Sequence, residues 1–299
     1  MTAHALTFVA TDNVSYREAL LMLGRVAFAR KLPPPAVLSG WQSAEWIYET
    51  VDDELREAAG AAVEGMPVDW ALTPVEGRRK KLLIADMDST IIDVECLDEL
   101  ADFAGLKTEI SAITEKAMRG ELNFEAALTE RVAMLKGLDV SALQRCLDER
   151  VRLNPGAEIM VRTMARHGAR CVLVSGGFDF FTSRVAKLAG FHADRANQLL
   201  LAGGKLAGAV AQPILGREAK LAALREEAAA NGITPQDALA IGDGANDLAM
   251  IRAAGLGLAY RAKPVVAAEA HAKIDHADLR AALFFQGYRA AEFWTQPAH

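Results

Sequence analysis

Three short apolar runs, each ending on a polar side chain, constrain this chain most. They are Leu82-Leu-Ile-Ala into Asp86, Cys171-Val-Leu-Val into Ser175, and Ala238-Leu-Ala-Ile-Gly into Asp243. Runs of this length bounded by turn formers read as buried strands. Helical patterns lie between and after them: 178–189, stopped by Gly190, then 216–230, then a short helix 247–254 before a strand 257–260. Strands alternating with helices predict a parallel sheet covered on both faces. Ligands in such open sheets sit beyond the carboxyl ends of the strands, so Asp86, Ser175 and Asp243 are expected to converge. Residues 197–210 alternate around Gly203-Gly204 and predict a hairpin flap.

Residues 1–77 read as a unit of their own. The pattern predicts a strand 5–10, an amphipathic helix 15–29, a strand pair 36–40 and 44–49, a helix 52–64 begun by acidic residues, and a strand 68–75. This β-α-β-β-α-β order fits a small ferredoxin-like α+β sandwich. The run Gly77-Arg-Arg-Lys-Lys81 reads as a solvated basic linker. Residues 97–152 are helical throughout, with Gly105, Gly120 and Gly137 at helix ends and Ser141 as N-cap of the last helix. A helical block inserted after the first strand of an α/β unit reads as a cap over a site. The expected division is therefore 1–77, a core of 78–96 with 153–299, and a cap of 97–152.

Composition bounds the function. With 52% hydrophobic and 24% charged residues among 299, the chain is an ordinary globular protein, and a net charge of −6 argues against nucleic acid as its main partner. No opening segment has the pattern of an export signal and no apolar run is long enough to span a bilayer, so a cytoplasmic protein without membrane contact is expected. Cys96, Cys146 and Cys171 lack metal spacing and suit small buried hydrophobes in a reducing compartment. The six histidines form no ligand cluster; His271 and His276 read as exposed.

The chemistry is concentrated in a few residues. Side chains two apart on extended backbone project to one side, so Asp86 and Asp88 can face one pocket, with Ser89-Thr90 holding the turn. Ser175-Gly176-Gly177 runs into a helix, whose first amides and positive dipole end suit a phosphate. Gly242-Asp-Gly-Ala-Asn-Asp247 offers hard oxygen ligands of the kind Mg²⁺ takes, although Asn246 or Asp247 could equally be a helix N-cap. Lys220 lies on a helix, where lysine is usually solvated. Arg131 shares a predicted helix face with Phe124, Leu128 and Leu135, and an arginine in an apolar stripe is costly to bury unpaired. A structural carboxylate from a neighbouring cap helix would explain it. With Glu95, it would instead grip the two charged ends of a zwitterion.

Taken in order, these pieces resemble the haloacid dehalogenase superfamily of phosphotransferases. Around the cap, Asp86-Met-Asp-Ser-Thr-Ile-Ile-Asp-Val-Glu95, Met118-Arg-Gly-Glu-Leu-Asn-Phe124, Arg131-Val-Ala-Met-Leu-Lys136 and Val174-Ser-Gly-Gly-Phe178 are similar to the phosphoserine phosphatase family. The resemblance covers most of 82–290, including Gln286-Gly-Tyr288. It implies a Rossmann-like α/β core with a parallel sheet, an inserted all-helical cap, and Mg²⁺-dependent hydrolysis of O-phospho-L-serine, the last step of serine biosynthesis. It makes Asp86 the nucleophile and Asp88 the acid and base. It places Mg²⁺ on Asp86, the Asp88 backbone carbonyl and Asp243, and the phosphoryl group on Ser175, Gly176 and Lys220, with Asn246 and Asp247 supporting. Glu95 and Arg131 would bind the amino acid's charged ends, Met118 and Phe124 packing over it. Residues 1–77 are similar in size and element order to the amino-acid-binding ACT domains of some members. Two rivals share these residues: transfer of the phosphoryl group to another small hydroxyl such as homoserine, and a non-catalytic amino-acid-binding regulator. The sequence does not set the oligomeric state, for which a homodimer is entertained.

Overall fold

The computed structural model describes residues 2–119 and 121–296, the side chains of Met118 and Arg217 excepted. Its amino-terminal part holds β1 (His4–Ala10), α1 (Asn13–Ala29), β2 (Ala36–Ser39), β3 (Ser43–Tyr48), α2 (Asp53–Ala62) and β4 (Val68–Pro74). Asp12 starts α1 by accepting the Val14 and Ser15 amides, and Asp52 starts α2 by accepting that of Leu55. The strands form an antiparallel sheet in the order β2-β3-β1-β4, the ferredoxin-like arrangement. Period-two alternation sends Leu6, Phe8, Trp46 and Leu72 to the face that packs with Leu23 and Leu55 of the helices. Each such side chain contributes roughly 1.5–3 kcal/mol by leaving water.

The opposite face of this sheet is also buried, though it carries Thr7, Ser43, Glu45, Asp69 and Thr73. The rest of the chain covers it. Val9 and Ala71 pack in one cluster with Phe284 and Phe285. The Thr73 hydroxyl donates to the Phe285 carbonyl at 3.1 Å, and the Asp69 carboxylate accepts the amides of Asp275 and Ala277 at 2.9 and 2.7 Å. The expected solvated linker is corrected here. Arg78 makes a two-armed ion pair with Glu45 at 2.7 and 3.0 Å, and Arg79 reaches Glu292 at 2.8 Å. A buried Glu45 needs a partner, and the arginine at the joint is the nearest cation.

The six-stranded sheet contains β5 (Leu82–Ala85), β6 (Arg170–Phe178), β7 (Ala193–Asn197), β10 (Ala238–Gly242), β11 (Leu256–Tyr260) and β12 (Ala272–Ile274). All pairings are parallel, in the order β12-β11-β10-β5-β6-β7. The order reverses between β5 and β10, which opens a crevice at their carboxyl ends. The covering helices are α7 (Ala157–Arg166), α8 (Asp179–Ala189), α9 (Arg217–Ala230), α10 (Leu248–Ala253), α11 (Pro264–Ala267) and α12 (Ala281–Phe285).

The cap lies between β5 and α7: α3 (Cys96–Asp102), α4 (Lys107–Met118), α5 (Phe124–Met134) and α6 (Ser141–Arg150). Ser141 is the first residue of α6 rather than its cap. The Asp139 carboxylate, one atom longer in reach, takes both the Ser141 amide and hydroxyl at 2.9 and 2.6 Å. The hairpin β8 (Leu199–Ala202) and β9 (Lys205–Val210) straps the cap to the core. Its backbone exchanges hydrogen bonds with the loop after α5: Gly137 to Leu206, Leu206 to Leu138, and Val140 to Gly204. No helix among the described residues is long and apolar enough to cross a membrane.

Candidate active site

The strand ends deliver their polar residues to one place. Asp86 and Asp88 both have extended backbone, and Ser89 after them sits at φ 54°, a left-handed turn that costs a serine energy. The Ser89 hydroxyl donates to Glu95 at 2.6 Å. Asp86 Oδ1 accepts the Met87 amide at 2.8 Å and the Lys220 ammonium at 2.6 Å. Asp88 Oδ2 accepts the Ser175 hydroxyl at 3.1 Å, and its Oδ1 accepts the Cys96 amide at 2.8 Å. Burial is the first cause that pushes both aspartates above the usual carboxylate range, Asp86 further because Asp247 adds repulsion.

Lys220 is not solvated as a helical lysine usually is; it is buried, with Asp86 and Asp247 each at 2.6 Å. Burial alone would depress its pKa, yet the two carboxylates carry it above the ordinary value. Asp247 stands at the N-cap position of α10, but its side chain caps no amide of that helix. Its Oδ2 accepts the Asp243 and Gly244 amides, folding the Gly242–Asp247 loop around its own carboxylate. A Cβ on Gly242 would collide with that carboxylate, which is why glycine precedes Asp243.

Asp86, Asp243 and Asp247 each offer an oxygen within 4.8 Å of the others, all buried. Three buried carboxylates share the ammonium of Lys220, with Lys263 a weaker influence, and Asp243 is pushed up to about 7 by burial and by Asp247. Hard oxygen donors gathered in this way fit a divalent cation.

From the cap side, Glu95, Phe124 and Arg131 line the same cavity as Asp86, Asp88, Ser175, Gly176 and Asn246. A Cβ on Gly176 would run into the Phe124 ring, so the aromatic seals directly on the glycine. β6 runs through Ser175 and both glycines to Phe178 before α8 begins at Asp179, so extended backbone separates Ser175 from the helix expected directly behind Ser175-Gly176-Gly177. Burial first, then Asp88 and Asp243, push Glu95 well up. Arg131 is buried, and burial pulls its pKa down against the counter-pull of Asp98. The Met118 side chain lies outside the described residues.

Residues 83–252 match the model of the haloacid dehalogenase-like hydrolase family. The chain belongs to that family. A phosphoserine phosphatase of Polaromonas sp. is 44% identical over 72% of this chain and 93% of its own length. One from Archaeoglobus fulgidus is 40% identical over 71% of this chain, which spans 62% of that protein. The solved structure of a hydrolase of the same family from Salmonella enterica serovar Typhi superposes with a TM-score of 0.82 at 28% identity, covering 95% of this chain and 98% of that one.

In this family member three further residues shape the site: Thr90, from within the Asp86–Glu95 motif, and Asn154 and Asn197, which no motif announces. The Thr90 hydroxyl donates to Asp243 Oδ1 at 2.9 Å and aims that carboxylate. Asn197 donates to the Gly176 carbonyl at 2.8 Å while accepting the Leu215 amide, which steadies the glycine turn. Asn154 donates to the Thr90 and Ile92 carbonyls and fixes the chain where it leaves for the cap. Their partners lie 18 to 153 residues away, and a single Thr or Asn carries no period to read.

Proposed function

We propose that this chain is a Mg²⁺-dependent phosphatase that hydrolyses O-phospho-L-serine to L-serine and phosphate, the closing reaction of serine synthesis. One observation carries it: the cavity over Asp86 and Asp88 is lined on its cap side by an acid, Glu95, and a base, Arg131. That pair suits the ammonium and carboxylate of an amino acid. The names of the Polaromonas and Archaeoglobus relatives support the same substrate.

Asp86 is the nucleophile; Lys220 and the Met87 amide hold one oxygen, and no described hydrogen bond engages the other. It attacks phosphorus in line, and the bond to the serine oxygen breaks as Asp88 hands its proton to that oxygen. Burial pushes Asp88 above the usual carboxylate range, which favours the proton that it is to give. Asp88 then takes a proton from the water that cleaves the aspartyl-phosphate. Ser175, the Gly176 amide, Lys220 and Asn246 hold the phosphoryl oxygens. Asp86, Asp243 and the Asp88 carbonyl, with Asp247 behind them, would hold a Mg²⁺, which would supply positive charge to the transferring group. Phe124 and the cap exclude bulk water. The reading places the protein in the cytoplasm, where its three free buried cysteines persist reduced. It also divides the chain into 1–77, a core of 78–96 with 153–299, and a cap of 97–152.

The test is phosphate release from a panel of phosphomonoesters, with and without Mg²⁺, for the wild type and Arg131→Ala. Phosphoserine should lead, and only with the metal. Arg131→Ala should weaken phosphoserine use by on the order of 3 kcal/mol, as for loss of a buried charge partner. Phosphoethanolamine, which lacks the carboxylate, should scarcely change. An equal loss for both esters, with fold and stability intact, would reduce Arg131 to a structural role.

A further inference from the structure

Arg131 is buried without an ion pair. Its Nε donates to the Ala127 carbonyl at 3.1 Å, its Nη1 donates to the Thr114 hydroxyl at 2.7 Å, and no described carboxylate lies within 4.0 Å. A guanidinium has five donors, so most of its capacity is unspent. Thr114 in turn places its oxygen 2.6 Å from Asp98 Oδ1 and 3.1 Å from the Ile110 carbonyl. One hydroxyl has one proton, and the short contact with a carboxylate claims it. Asp98, Thr114 and Arg131 are all buried, and they come from α3, α4 and α5 respectively.

We propose that Thr114 is a positioning residue for specificity: it relays the charge of Asp98 to Arg131 while keeping the two from pairing directly. The relay deepens the phosphoserine reading and rests on it. A direct Asp–Arg pair would be two-armed and would satisfy the guanidinium inside the cap. With a hydroxyl interposed, the carboxylate is near enough to make burial of the cation tolerable. It is too far to occupy the donors that face the cavity, which Thr114 and Arg131 both line. The substrate's carboxylate completes the charge that the fold leaves open. Buried, incompletely paired groups of this kind reject ligands that cannot pair with them.

The experiment compares Thr114→Val, Thr114→Ser and the wild type in the full chain with Mg²⁺, using phosphoserine and phosphoethanolamine. Thr114→Val removes the hydroxyl at nearly constant volume. It should raise KM for phosphoserine about tenfold or more, the worth of a hydrogen bond to a charged group, with kcat little changed. Phosphoethanolamine kcat/KM should stay within about twofold, and Thr114→Ser should restore phosphoserine binding. Asp98→Asn, which keeps the acceptor and deletes the charge, should show the same selective rise in KM even if the valine variant does not fold. Undiminished preference for phosphoserine in Asp98→Asn, or in a folded Thr114→Val, overturns the relay alone. Equal loss for both esters, or no rescue by serine, does so as well. A wild type without preference for phosphoserine overturns the substrate reading and the relay together.

Discussion

A carboxylate serves as a nucleophile only if one oxygen is held and the other left open. Asp86 meets that condition through Lys220 and the Met87 amide on a single oxygen. Asp86→Asn should therefore keep the fold and lose turnover by on the order of 10⁴-fold or more, because an amide does not accept the phosphoryl group. Steady phosphate release from a clean preparation would remove Asp86 from that role. Asp243 leads to a pH prediction. Burial and Asp247 push it up to about 7, and it must be deprotonated to ligate a cation. Below that point a proton has to leave before metal enters, so affinity should fall about tenfold for each unit of pH lost. Titration calorimetry at pH 6 and 8, in buffers of different ionisation heat, measures both affinity and proton release. Equal affinity at the two values, without proton release, would contradict the assignment.

At the scale of elements, the site is a contact between β6 and α5. The Phe124 ring lies where a Cβ of residue 176 would stand. Gly176→Ala should therefore push the cap off the phosphate end of the cavity and lower kcat/KM on the order of 100-fold, since misplacements near 1 Å cost that much. Global stability should change little, because the ring can retreat toward solvent. Steady-state kinetics beside a thermal melt separates the two, and full activity in a folded Gly176→Ala would show that the seal is not needed. The hairpin β8–β9 bears on the same contact. Its backbone bonds to 137–140 hold the far end of α5 while its buried Leu206 joins the main core.

For the molecule as a whole, the amino-terminal sheet is sandwiched between its own helices and the α/β core. Asp69 is the centre of that junction, with the amides of Asp275, His276 and Ala277 all directed at its carboxylate. Asp69→Ala would leave those donors, the Ala277 amide buried among them, without their carboxylate and should lower stability by about 2–3 kcal/mol, the penalty for unsatisfied polar groups. The catalytic constants should hold at temperatures where the variant is folded. Urea unfolding measures the first and initial rates the second; unchanged stability would mean that the amides find water instead. A chain beginning at Arg78 keeps every catalytic motif but uncovers Phe284 and Phe285, so its cost falls on stability before chemistry.

How much of this was legible follows from the range of each interaction. The strand ends at Asp86, Ser175 and Asp243, the parallel sheet between them, and the β-α-β-β-α-β order before them rest on local periodicity and turn chemistry, which the amino-acid order alone determines. The same holds for the helical insertion and for the one-face stripe of Phe124, Leu128 and Arg131. Local rules failed where a polar residue's partner was distant. Lys220 read as solvated until α9 brought it to Asp86, 134 residues earlier in the chain, and Arg78 read as linker until Glu45 met it across 33. Ser141 reads as a cap, yet it is the first residue of α6, and its own amide and hydroxyl are both held by the Asp139 carboxylate two residues before it. Thr90 read only as part of a turn, and Thr114 and Asn197 gave no signal at all, since one hydroxyl or amide means nothing until packing chooses its neighbour. Hydrophobic period sets which face is buried; only the tertiary structure decides which polar groups, once buried, must satisfy one another.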